Sequence, residues 1–131
     1  MQVCNAAGTA CLDVPIAVAG VADHVKVTGL NVATGDLAIA YGPACQATDH
    51  TIYWGNLHAP WDGTYTGQAC HIGCNRLATF SPGTGSIFFY VVPNDGVDEG
   101  SYGLTSTGAE VPEAVGLADC DYPQDLSNSC P

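Results

Sequence analysis

The sequence predicts an all-β fold, an antiparallel sandwich of about seven strands stabilised by disulfides. Three observations carry that expectation. Short runs with period-two apolar alternation recur along the 131 residues, separated by turn-forming dipeptides. Sixteen glycines and eight prolines punctuate the chain, and no window holds the i, i+3, i+4 apolar stripe of an amphipathic helix. Seven cysteines in so short a chain are the third.

Residues 1–21 read as an N-terminal extension. It is Gly/Ala-rich to Cys11, and the apolar run 12–18 follows, with Pro15 suited to an edge strand of its own domain or to a strand donated to a neighbour. The main domain is residues 22–118. Val25, Val27 and Leu30 open it, interleaved with Lys26 and Thr28, and residues 36–41 then place Leu37, Ile39 and Tyr41 on one face. Residues 51–54 and 77–80 are further strands, and residues 101–107 are the expected closing strand. The strongest run, 87–92, is apolar on both faces, which predicts a central strand or one whose outer face something else covers. Thr34-Gly35, Gly42-Pro43, Asp62-Gly63, Ser81-Pro82-Gly83 and Asn94-Asp95-Gly96 supply turns. Leu37, Ile39, Tyr41, Ile52, Phe89 and Val91 are expected in the core. Residues 119–131 form a Cys-bounded polar tail.

The cysteines are Cys4, Cys11, Cys45, Cys70, Cys74, Cys120 and Cys130, and only Cys70-His71-Ile72-Gly73-Cys74 is a tight cluster. None forms a Cys-X-X-Cys pair, so cystines of an exported domain fit better than a zinc site. Cys120 is expected to pair locally with Cys130, and Cys45 to bridge toward Cys70 or Cys74. One sulfur is left over, free or joined to another chain. No basic n-region marks a secretory signal, so the extracellular assignment rests on the cysteines, with the chain read as a mature or excised piece. No stretch reaches the ~18 apolar residues of a membrane span. Thirteen acidic residues face two basic ones, Lys26 and Arg76, for a net charge of −11. Two cations cannot build a phosphate-binding surface, which excludes nucleic acid and anionic headgroups as partners.

The order of several pieces carries a resemblance. Asp49-His50-Thr51-Ile52-Tyr53-Trp54-Gly55-Asn56-Leu57 follows Cys45, and Phe89-Tyr90-Val91-Val92-Pro93-Asn94 comes later. Glu99-Gly100-Ser101-Tyr102-Gly103 and Ser106-Thr107-Gly108-Ala109-Glu110-Val111-Pro112 precede two terminal cysteines. Over residues 22–130 the chain resembles the fibronectin type III-like (Ig-like) sandwich modules of secreted, cysteine-containing proteins of myxobacteria and related bacteria. The tryptophan usual on that family's second strand is Tyr41 here, and Cys4 and Cys11 fall outside the pattern. The resemblance implies a non-catalytic module.

Catalytic motifs are missing from the sequence. There is no Gly-X-Ser-X-Gly elbow, Ser-X-X-Lys or Walker loop, and His24, His50, His58 and His71 are scattered. The chain is not expected to be an enzyme. Calcium is the one cofactor suggested: Asp95, Asp98 and Glu99 lie in a Gly-containing turn, where carboxylates and backbone carbonyls together suit a hard cation. The plainer reading is a solvated acidic loop. Trp54, Trp61 and Tyr65 are candidates for stacking on a glycan, against the alternative that they fill the core. Strands almost free of edge charges favour self-association instead. The expectation is therefore a structural subunit that forms a filament, sheath or surface layer with copies of itself. The second reading is a glycan- or protein-binding adhesion module.

Overall fold

A computed structural model describes residues 2–4, 11–13, 23–42, 44, 47–57, 63–117 and 119–127. Its regular elements are strands: β1 (Gln2–Cys4), β2 (Cys11–Asp13), β3 (Asp23–Asn31), β4 (Asp36–Gly42), β5 (Asp49–Asn56), β6 (Gly67–Ala69), β7 (Leu77–Phe80) and β8 (Ile87–Asn94). No helix occurs among the described residues. The strands pair antiparallel in two sheets, of order β2-β1-β8-β5-β6 and β3-β4-β7.

Period-two alternation assigns each side chain to a layer. Leu37, Ile39 and Tyr41 of β4 and Phe80 of β7 meet Ile52 of β5 and Ile87, Phe89 and Val91 of β8 in the core between the sheets. All six residues expected to be buried are there. Each such side chain contributes about 1.5–3 kcal/mol relative to exposure. Gly35, at φ 79° in the β3–β4 turn, packs against Gly83 so closely that a Cβ would collide with its carbonyl. That contact ties the two turns at one end of the core.

β8 is buried along its whole length, and it lies in the middle of the five-stranded sheet. Its alternate residues Phe88, Tyr90 and Val92 join Tyr53 of β5 on the face turned away from the first core. Tyr102, Val111 and Ala114 cover that face. They belong to an irregular segment, residues 100–117, which residues 119–124 of the expected tail continue. Residues 101–107 do not form the expected strand. Gly103 takes φ 106°, and the Glu110 carboxylate accepts the Tyr102 N–H at 2.9 Å, replacing a ladder partner with a side chain. The cover is closed by isolated bridges, Asn94 with Glu99, Glu99 with Gln124 and Leu104 with Glu110. The tail joins the same layer: Cys120 is buried, and Asp125 N–H donates to the Glu99 carbonyl at 2.9 Å.

A disulfide links Cys70, just past β6, to Cys120 in the cover, with Cα atoms 6.0 Å apart. This corrects two expectations at once. Cys120 is not paired with Cys130, and Cys70 is not available to Cys45. The tertiary position of the cover brings together sulfurs separated by 50 residues, which sequence proximity could not suggest. Closing such a loop stabilises by about 4 kcal/mol in the chain-entropy account. For the N-terminal segment, the described strands take the edge-strand alternative. β1 pairs with β8 and β2 pairs with β1 within the chain, so the segment extends its own sheet, and Cys4 and Cys11 are register partners. Val14, Ile16, Val18, Cys45 and Cys130 lie outside the described residues.

Candidate functional site

Two polar clusters lie on opposite faces of the five-stranded sheet. The first gathers around the loop from β6 to β7, which turns tightly through positive φ at His71 (56°), Gly73 (75°) and Arg76 (69°). Asp49, at the start of β5, pins it. Asp49 Oδ1 accepts the N–H of Gly73 at 2.7 Å and of His50 at 2.8 Å, while Oδ2 meets His71 Nδ1 at 2.8 Å. Burial pushes the Asp49 carboxyl up, but these bonds to His71, Gly73 and His50 together hold it below the usual range.

His50 is fully buried against the Tyr41 ring, with centroids 5.2 Å apart. Its Nε2 accepts the Ala44 N–H at 3.2 Å, which fixes the proton on Nδ1, 2.9 Å from the Gly73 carbonyl. Burial pushes the His50 pKa down, more than the Gly73 carbonyl and the Asp49 charge raise it, and the ring is neutral. Tyr41 Oη donates to the same carbonyl at 2.8 Å; burial, then the Cys74 and Asp49 charges, push it up to about 12.

Cys74 is a free, exposed cysteine, and its sulfur lies 3.6 Å from His50 Nδ1. A thiol is activated by an imidazole that offers it a lone pair. Here Nδ1 carries hydrogen and directs it to Gly73. The cluster is a pinned loop with an exposed thiol at its rim, and His50 is not a base toward Cys74.

The second cluster centres on Glu99, 2% exposed under the cover. Tyr102 Oη donates to Glu99 Oε1 at 2.7 Å and accepts the Ala114 N–H at 3.1 Å. Tyr53 Oη lies 2.8 Å from Glu99 Oε2 and 2.6 Å from the Cys120 carbonyl oxygen. Burial is the largest influence on Glu99 and raises its pKa to about 7; the two phenols pull it down, and the Glu113 and Asp121 charges push it up. Tyr53 and Tyr102 stack at 5.3 Å, and burial raises both phenol pKa values. Sequence reasoning missed this cluster. The placement of Tyr53 opposite Ile52 on β5 was the available signal, but nothing in the sequence separates Glu99 from its acidic neighbours.

The carboxylates proposed for calcium are not brought together. Asp95 Oδ1 caps the backbone by accepting the N–H of Val97 and of Asp98, each at 2.9 Å, while Glu99 turns inward to the tyrosines. Among the described residues no three His, Cys, Asp or Glu side chains are grouped to hold a metal ion. The aromatic candidates are likewise divided. Trp54 packs with the first core, 5.2 Å from the Phe80 ring, and the backbone of Gly67 lies across its indole. Tyr65 packs with the second core and donates its hydroxyl to the Pro112 carbonyl at 2.7 Å. One alternation step separates the faces they serve, so Trp54 and Tyr65 do not form one stacking platform. Trp61 and His58 lie outside the described residues.

Comparison with known proteins returns no matching family model, no similar curated protein and no similar solved structure.

Proposed function

We propose that the chain is a non-catalytic extracellular structural subunit: an Ig-like, fibronectin type III-like sandwich that assembles with copies of itself through strand and disulfide contacts. The β7 edge carries this reading. β7 pairs with β4 without a register shift, and no described strand lies on its other side. Leu77 on this edge is 66% exposed, and the exposed Cys74 thiol precedes it by a short turn. An edge of this kind is a template for another strand. The opposite edge, β3, is protected by Lys26 and by two register shifts against β4.

Further support comes from the face of this sheet turned away from the core. Lys26, Ala40 and Leu77 align across it in one row and Gly29, Ala38 and Thr79 in the next, so between Lys26 and Leu77 it presents mostly small residues. Joining β7 of one copy to a different surface of the next is heterologous and propagates as a filament unless the rotation closes. The Cys70–Cys120 disulfide fits an oxidising compartment, and among the described residues no helix is long and apolar enough to cross a membrane. The backbone partners on both His50 nitrogens favour a structural over a catalytic role for that ring.

The test is light scattering and negative-stain microscopy of the oxidised chain beside Leu77→Lys and Cys74→Ser. Polymers in the unmodified chain that shorten or vanish in Leu77→Lys support the reading. A strictly monomeric unmodified chain at high concentration overturns it.

A further inference from the structure

The hydrogen bonds around Glu99 need more hydrogens than the tyrosines hold. Three oxygen pairs are in close contact: Tyr102 Oη with Glu99 Oε1 at 2.7 Å, Tyr53 Oη with Glu99 Oε2 at 2.8 Å, and Tyr53 Oη with the Cys120 carbonyl at 2.6 Å. Oxygens at such separations repel unless a hydrogen lies between them. Tyr102 accepts the Ala114 N–H and so directs its own hydrogen to Oε1. Tyr53 has one hydrogen for two neighbours, and a peptide carbonyl has none to give. The third hydrogen must come from Glu99 Oε2.

We propose that Glu99 is a neutral carboxylic acid in the closed fold, and that its ionisation is a pH switch that unfastens the cover from β5. In the neutral state Glu99 Oε2–H donates to Tyr53, and Tyr53 donates to the Cys120 carbonyl. Each hydrogen then has one acceptor. When Glu99 gives its proton to solvent, the carboxylate draws the Tyr53 hydrogen to itself, because a bond to a charged acceptor is the stronger one. The Cys120 carbonyl loses its donor and faces the lone pairs of the phenol oxygen.

The ionisable groups facing Glu99 are Tyr53 from β5 and Tyr102, Glu113 and Asp121 from the cover; Tyr65, beside Tyr53 and Tyr102, also feels its charge. Both charged groups are acidic, and they are committed elsewhere: Glu113 accepts the Gln124 N–H and Asp121 the Gly116 N–H. The folded value of about 7 stands above the ordinary 4.5. Stabilisation of the cover by this proton is therefore complete below pH 4.5, declines as pH rises, and is gone above about 7.

Native-state hydrogen exchange tests the switch on the oxidised chain, corrected for intrinsic rates. The Ala114 and Val111 amides, both bonded within the cover, report its opening; the inner-core amide of Ile39 is the reference. The opening constant should rise on the order of 100-fold from about pH 4.5 to about 7.5 in the unmodified chain. It should stay flat in Glu99→Gln, whose amide can donate to Tyr53 and accept from Tyr102 as the neutral acid does. An equal rise in Glu99→Gln overturns the proposal. Infrared titration gives a second reading that needs no variant. A protonated-carboxyl carbonyl band disappearing with a midpoint near pH 7 supports a neutral Glu99, and a spectrum in which every such band is lost near the ordinary carboxyl range refutes it.

Discussion

On the inner face of β8, Ile87, Phe89 and Val91 meet Leu37, Ile39 and Phe80 of the opposite sheet. On its outer face, Phe88, Tyr90 and Val92 meet Tyr102, Val111 and Ala114 of the irregular cover. The inner contact joins two hydrogen-bonded sheets, so its backbone is satisfied by ladders and its side chains are free to be apolar. The outer contact lacks a ladder on the covering side. Its backbone is held instead by Glu110, Glu113, Asp121 and Gln124, and by tyrosine hydroxyls such as Tyr53 and Tyr65 that reach across to carbonyls. Burying such groups costs free energy wherever a partner is lost. The two faces of one strand therefore differ in what can disrupt them: loss of volume on the inside, loss of a hydrogen or a sulfur link on the outside.

The largest expected effect is on the inner face. Phe89→Ala removes a ring that touches Phe80 at a centroid distance of 5.1 Å and leaves a cavity between the sheets. We expect a loss of about 3–5 kcal/mol in global stability, measured by denaturant unfolding, with inner and outer amides losing protection together. A loss confined to the cover would break the comparison.

Removing the Cys70–Cys120 bond sharpens it from the other side. A double Cys70→Ser, Cys120→Ser chain should lose up to about 4 kcal/mol, from the loop of 50 residues that the bond closes. Here the effect should be uneven. Hydrogen exchange should accelerate first at Ala114 and Val111, while Ile39 in β4 stays protected to the global limit. Uniform acceleration would mean that the cover and the sheets unfold as one unit.

Much of the inner layer was legible in the sequence. Leu37, Ile39 and Tyr41 alternate cleanly with small residues, and the double apolar face of residues 87–92 called for a central position or an outer cover, of which the strand has both. What covers it was not legible: residues 101–107 read as a strand, whereas they and residues 108–117 and 119–124 build an irregular cover. Their conformation is set by side chain to backbone bonds whose partners lie far apart in the chain, such as Tyr53 to Cys120. Gln2–Cys4 and Gly67–Ala69 were missed as strands because each is only three residues long. The carboxylate run from Asp95 to Glu99 misled for a similar reason: Asp95 caps its own turn, while the next bridge carries Glu99 into the interior.

The two faces should also answer pH in opposite senses. His50, on the inner side beside Tyr41, has a folded pKa held below its ordinary 6.5, chiefly by burial. Its contribution is present above pH 6.5 and is lost as pH falls through the folded value, since the unfolded chain takes up the proton first. Glu99 on the outer side weakens its face as pH rises. Between about pH 4.5 and 6.5 the acid slope from His50 opposes the decline from Glu99, so denaturant midpoints of His50→Asn should fall more steeply with rising pH than those of the unmodified chain, while the rise in cover exchange toward about pH 7.5 is kept. Asp49, whose pKa is lowered from 3.8, acts only at lower pH and does not overlap this window. An unchanged slope would remove His50 from the account.

The smallest effect on stability is expected at the β7 edge, and it separates folding from assembly. Leu77 projects from the outer face of β7 and is 66% exposed, so Leu77→Lys removes little buried area and should change unfolding free energy by less than about 0.5 kcal/mol. Its consequence should lie between copies. A lysine at an open edge must surrender its hydration if another strand pairs there, which is how natural sheets keep their edges single. The substituted chain should therefore unfold at the same denaturant midpoint as the unmodified one and sediment as a smaller species under oxidising conditions. Cys74→Ser provides the control on the same edge: it removes the disulfide route through Cys74 and leaves the strand route intact. Shorter polymers in Leu77→Lys than in Cys74→Ser would assign the contact to strand pairing, and the reverse order would assign it to the thiol. Unaltered polymers in both chains would place the contact on a surface other than β7.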